Sequence, residues 1–243
     1  MISFKATLKL NVPIAGVING LIVAGTAWLS ARLYFSGLYR RYRAFFLFLI
    51  FGALQNGTLG VLSPASGAYQ EVWLLTEPIE WFFCAWVVLE QYSLVLQDYQ
   101  RPYTVGRWAL VVALSVAVLP SGFSLIVPSH STPQGQLMAY YYVAERAVYF
   151  SLTVFLLTIL VVLTRYPIML NRNTLILSVV FSVYFLSNTI IFLMLSTQGF
   201  GVIRIAGYAI QAVNLGALGT WLAMLNTGGE QRQHRLRPAW VPG

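Results

Sequence analysis

The sequence predicts an all-α integral membrane protein: a seven-transmembrane helix bundle with its N-terminus outside and its C-terminus in the cytoplasm. Three observations carry that prediction. The 243 residues are 58% hydrophobic and 9% charged, with a mean hydropathy of +0.71, far from the balance of a soluble domain, which needs a charged shell. Apolar runs recur about every thirty residues, each near the ~20 residues that cross a bilayer as a helix. Arginine, finally, is concentrated in alternate connections, the pattern that orients spans in a membrane.

The runs give seven candidate spans: Val12–Tyr34, Ala44–Ser63, Thr76–Leu96, Trp108–Val127, Leu137–Thr164, Thr174–Leu195 and Val202–Leu225. Lipid offers no partner to a backbone amide or carbonyl, so each run is expected to close its own hydrogen bonds as a helix. The first run follows Lys5 and Lys9 and has the outline of a secretory leader. It is long for one, and Arg32–Arg43 follow it closely, which fits a reverse-oriented anchor better. Alternate connections and the tail hold Arg32, Arg40, Arg41, Arg43, Arg101, Arg107, Arg165, Arg172, Arg232, Arg235 and Arg237, eleven of the fifteen basic residues. The other side has Lys5, Lys9, Arg146 and Arg204, and its loops are rich in Ser, Pro and Gly. The arginine side is therefore expected to be cytoplasmic. Residues 1–227 form the transmembrane domain, and residues 228–243 form a short basic tail. No soluble domain fits in the connections, and the localisation expected is a cell membrane, the cytoplasmic membrane of a bacterium.

Seven acidic residues occur in the whole chain, and three lie in the stretch TEPIEWFFCAWVVLEQY at Thr76–Tyr92. Proline suits the first position of a helix, where its missing N–H costs nothing. Pro78 there makes Glu77 the helix cap and sets Glu80 to reach back to the cap amide. Glu90 lies about 15 Å farther along. It is either an intramembrane functional carboxylate or an interfacial partner of Arg101 or Arg107. Glu145 and Arg146 in the fifth span, and Arg204 early in the seventh, pose the same choice between burial and interface.

Asn19, Asn56 and Asn188 lie roughly 10 Å from the outer ends of their spans, and Gln211 and Asn214 somewhat deeper. Polar side chains in a bilayer face the bundle interior or a wet cavity. Two readings are open: a water-accessible pocket with Glu80, Arg146 and Arg204 as its charged members, or interhelical hydrogen bonds that hold the bundle together. Gly16 and Gly20, and the stripe Ala212–Gly216–Thr220, read as close-packing surfaces.

Several chemistries are excluded by composition. Two histidines, His130 and His234, both outside the spans, exclude intramembrane bis-histidine haem and a histidine zinc site. The lone Cys84 excludes an internal disulfide. No HExxH, phosphate loop or intramembrane aspartate pair occurs, so no enzyme is expected. Pro120-Ser121-Gly122 reads as a kink rather than a nucleophile, and a seventh span without lysine excludes a retinal Schiff base. No cofactor or metal and no nucleic-acid partner is expected. The partners expected are the lipid bilayer, a membrane or cytoplasmic protein, and a small-molecule ligand.

The functional expectation is a stand-alone receptor or sensor binding a small polar or amphiphilic ligand in the outer half of the bundle and signalling through its arginine-rich face. Two alternatives stand beside it: a carrier with an intramembrane Glu relay through Glu90, and an accessory subunit of a larger membrane complex.

Overall fold

A computed structural model describes residues 12–62, 66–95, 133–165, 169–198, 203–231 and 233–235. Six long helices account for nearly all of these: α1 (Val12–Phe35), α2 (Arg43–Val61), α3 (Gly67–Val95), α4 (Pro133–Arg165), α5 (Arg172–Gln198) and α6 (Ile203–Met224). They correspond to the predicted spans one to three and five to seven. The fourth, Trp108–Val127, lies outside the described residues, as do Lys5, Lys9, Asp98, Arg101, Arg107, His130, Arg232 and Arg237. By length and composition, four described helices can cross a membrane: Gly16–Phe35 of α1, Arg43–Val61, Gly67–Val95 and Arg172–Leu195 of α5.

The helices close into a ring. α2 packs against α1 and α3, α5 against α4 and α6, α6 against α1, and α3 against both α4 and α5. Two of these neighbours run parallel. Along α3 and α4, Trp73 and Trp81 meet Tyr141 while Tyr92, farther on, meets Phe155 at 5.5 Å. Along α1 and α6, Gly25 faces Leu218 and Arg32 donates to the Leu222 carbonyl.

An aromatic knot fills the interior of the ring toward one end. Phe45 meets Phe181 at 5.7 Å and Trp221 at 5.1 Å, and Phe181 stacks on Phe185 at 5.5 Å. Outward faces are equally apolar: Trp28, Phe35, Leu54, Val61, Phe82 and Val183 are all exposed. A chain apolar inside and out gains little from the hydrophobic effect once in lipid, so its helices are held by close packing and a few polar contacts. Gly25 is one such place, because a β-carbon there would stand 2.5 Å from Leu218. Gly16, Gly20 and Gly216, expected at packing faces, have no neighbour that a β-carbon would meet; the close approaches fall on Gly25 and Gly60 instead.

One end of the ring collects Arg32, the short 3₁₀ turn Leu38–Arg40, Arg41, Arg43, the C-terminal Arg165 of α4, and Arg172. The expected tail also folds here. A one-turn helix α7 (Gly228–Gln231) leads to strand β2 (Gln233–Arg235), which pairs antiparallel with β1 (Met169–Asn171). Asn173 donates to the Asn226 carbonyl at 2.8 Å and fixes the turn before α7.

The expected helix start at Glu77-Pro78 is corrected. α3 begins about ten residues earlier, with Ser66 Oγ accepting from the Tyr69 amide at 3.2 Å, so Pro78 sits inside the helix and Glu77 caps nothing. An internal proline leaves the carbonyl four residues back without its amide donor. Here that carbonyl is Leu74, and the Tyr141 hydroxyl of α4 donates to it at 3.1 Å. A neighbouring helix thus repairs the break, which is how membrane helices tolerate proline.

Candidate functional site

The longer α3 changes what its carboxylates can do. Glu77 and Glu80 lie in the middle of the helix rather than at its mouth. The face carrying them continues as Cys84, Val87, Val88, Gln91 and Val95 at helical spacing, and apart from the half-buried Glu80 every one of these residues is buried. α4 brings Glu145 to the same level, one turn below the Tyr141 that repairs α3.

Glu77, Glu80 and Glu145 interact electrostatically with one another and with Cys84, and Tyr149 and Tyr184 feel Glu80 and Glu145. Glu77 is 6% exposed and Glu145 5%, which makes both interior groups. Their partners are few and neutral. Glu77 bonds with Trp73 and Glu80 with Gln55; Gln55 Nε2 also donates to Thr76 Oγ1 at 3.0 Å. Glu77 Oε2 and Glu145 Oε2 are buried without any hydrogen-bond partner, and Trp81 Nε1 next to Glu80 is in the same position. The Tyr149 and Tyr184 hydroxyls bond to each other below the carboxyls.

Farther toward the arginine end, the polar atoms of Gln91, Ser178 Oγ and Trp221 Nε1 are likewise buried and unpartnered. Among the described residues, no group of three or more His, Cys, Asp or Glu is disposed to hold a metal ion. A cavity of about 130 Å³ lies elsewhere, at the arginine end between Leu29, Arg32, Leu33, Leu225 and Asn226.

Glu90 has a different role from either expected. Its Oε1 accepts from the Ala44 amide at 2.9 Å and its Oε2 from the Phe45 amide at 3.2 Å. These are among the first amides of α2, whose own N-cap residue, Tyr42, supplies no side-chain bond. A helix start leaves its first amides unsatisfied and carries partial positive charge. Glu90 answers both from the next helix. Sequence spacing gives no signal for such a cap, because donor and acceptor are 46 residues apart.

The amide layer is mostly committed to backbone. Asn19 Nδ2 donates to the Asn56 carbonyl at 3.2 Å and ties α1 to α2, with Gly60 leaving room for it. Asn56 donates to Gly52 O at 2.8 Å and Asn188 to Tyr184 O at 2.9 Å, each within its own helix. Gln211 Oε1 is buried without a partner, and Asn214 is half-buried. Arg146 is half-buried and adjacent to Glu145; neighbouring positions point about 100° apart around a helix. Arg204 belongs to the first turn of α6. Of the residues singled out from the sequence, the structure brings Glu80 and Glu145 together with Glu77. Gln55, Trp73, Trp81, Tyr141, Tyr149 and Tyr184 around them were not foreseen, since nothing in their spacing separates them from packing residues.

Comparison of the chain with protein-family models, with curated proteins and with solved structures finds no match.

Proposed function

We propose that the chain is a seven-pass cell-membrane protein of receptor or sensor type. Its ligand-responsive layer is Glu77, Glu80 and Glu145 between α3, α4 and α5, and its output is the arginine-rich end. The observation that carries this reading is the pair of carboxyl oxygens, Glu77 Oε2 and Glu145 Oε2, buried without a partner. Ionisable groups held in a bundle interior without a structural partner are expensive, and by default they mark function.

The seven passes and their orientation rest on direction. α1 and α6 run parallel, as do α3 and α4. Two parallel neighbours joined in sequence need a connection that returns across the bundle, which favours a crossing between α3 and α4 and an odd total. Arginine at one end favours that end as cytoplasmic, in a bacterial inner membrane. The ligand layer would then lie toward the outer side of the inner-face knot. The β1–β2 ribbon and α7, built on the start of α5, offer a partner protein an ordered surface that moves when α5 moves.

The carrier reading has less support. A relay through Glu90 needs a free carboxylate, and both Glu90 oxygens accept amides of α2. A pocket lined by Asn19, Asn56 and Asn188 also loses ground, because their amide nitrogens bond to backbone carbonyls.

A cysteine placed at Asn226 and labelled in lipid nanodiscs tests the coupling. Glu145→Gln, about five helical turns away along α4, should change the labelling rate at Asn226 by several-fold. An unchanged rate, together with cation flux in proteoliposomes that the same substitution abolishes, would replace the receptor by the carrier.

A further inference from the structure

Resting on the receptor reading above, we propose that the ligand of this layer is the proton, and that Glu77, Glu80 and Glu145 form one shared proton-binding site. The step is simple protonation: a carboxylate oxygen takes a proton from hydronium, whose O–H bond breaks to leave water, and becomes a neutral carboxylic acid.

Three features of the layer select the proton. Two helices carry the three carboxyls to one level of the interior: Glu77 and Glu80 are three residues apart on α3, and Tyr141, one turn before Glu145 on α4, bonds to Leu74 of that helix. Like charges in a medium of low polarity cannot all persist, so adjacent carboxyls share protons and titrate as a group rather than singly. Among the described residues, the groups acting most strongly on these carboxyls are one another and neutral side chains. α3 brings Tyr69 and Cys84, α4 brings Tyr141 and Tyr149, and α5 brings Tyr184. α2 brings only the neutral Gln55. Arg146 of α4 projects from a different face than Glu145. The Tyr141 hydroxyl is already committed to Leu74.

Larger cations fit less well. Among the described residues, the carboxyls are not disposed around a metal ion. A proton needs no cavity, and it turns an unpartnered buried oxygen such as Glu145 Oε2 into a donor for its neighbours.

Infrared difference spectroscopy of the full chain in lipid nanodiscs tests the site through the carbonyl stretch of protonated carboxylic acids. The band should change reversibly with pH, present on the acid side and gone on the alkaline side of one coupled transition. Glu77→Gln and Glu145→Gln should each remove about a third of it and shift the midpoint of what remains, because the groups are coupled. A band that does not change with pH, or one unaffected by either substitution, overturns the proposal. So does a band lost at constant pH on adding Na⁺ or K⁺, which would make the site a metal-cation site. A band that titrates as expected while the Asn226 label stays unmoved sustains the proton site and removes the receptor reading. Single substitutions suffice, so the outcome does not depend on whether a triple variant folds.

Discussion

The middle and the C-terminal end of α3 carry the same side chain in opposite states. Glu90 has both oxygens filled by amides of α2. Glu77, thirteen residues before it, keeps one oxygen without any partner although it is more deeply buried. Position along one helix therefore separates a carboxylate spent on architecture from one left over. The difference lies in what the neighbouring helix presents. α2 offers its N-terminus to Glu90, a natural anion site, whereas the middle of α4 offers Glu77 another carboxylate and a set of aromatic rings. A polar residue in a membrane is thus assigned by whether a helix end or a helix middle stands opposite it.

The largest effect should come from breaking the structural side. Glu90→Ala removes two charge-assisted bonds and leaves the Ala44 and Phe45 amides without acceptors. Buried orphan donors and lost charged bonds together make a cost of about 2–4 kcal/mol reasonable. Denaturant titration in mixed micelles should show it, and Glu90→Gln should lose about half as much, since an amide oxygen still accepts one bond. A variant as stable as the parent would mean that α2 starts without this cap.

Next comes the proline repair. Tyr141→Phe deletes the donor to the Leu74 carbonyl and should cost about 1–2 kcal/mol. The informative measurement is the cycle with Pro78→Ala. Alanine restores an amide at position 78, which can close the ordinary helical bond to Leu74 and leave Tyr141 with nothing to repair. Tyr141→Phe should then cost clearly less in the alanine background. Equal costs in both backgrounds would place the value of Tyr141 in its ring contacts with Trp73 and Trp81, at 5.7 and 5.8 Å, rather than in its hydroxyl.

Legibility in the sequence follows the same division. Helices were readable because apolar runs of bilayer length have one solution in lipid, and the ends of α1, α2, α5 and α6 fall within a few residues of the runs. The start of α3 was misread for a physical reason. Pro78 obeys the rule for a first helical position, and the hydroxyl that lets it sit in the interior comes from Tyr141, 63 residues on. Glu90 was misassigned in the same way, since its partners are backbone amides of another helix and backbone amides have no sequence signature. The β1–β2 ribbon went unread because three-residue strands such as Gln233–Arg235 carry no alternation long enough to notice. Membership of the carboxyl group was half legible: rarity marked Glu80 and Glu145, while the aromatic and amide residues beside them looked like core.

The smallest expected effect is also the sharpest test of the contrast. Glu145→Gln replaces a carboxyl by an uncharged group of the same shape. If Glu145 were a structural anion like Glu90, removing its charge would destabilise the bundle by kilocalories. As a member of a proton-sharing group, it is neutral for part of its cycle, and glutamine imitates that neutral form. Stability should therefore change by less than about 1 kcal/mol at neutral pH, and Glu77→Gln should behave alike. Above the range in which the parent group loses its protons, the variant should become the more stable of the two, because it carries one fewer charge to repel its neighbours. Denaturation midpoints of parent and variant compared at about pH 6 and about pH 10 would show this crossing. A glutamine variant less stable at both would put Glu145 in the same class as Glu90.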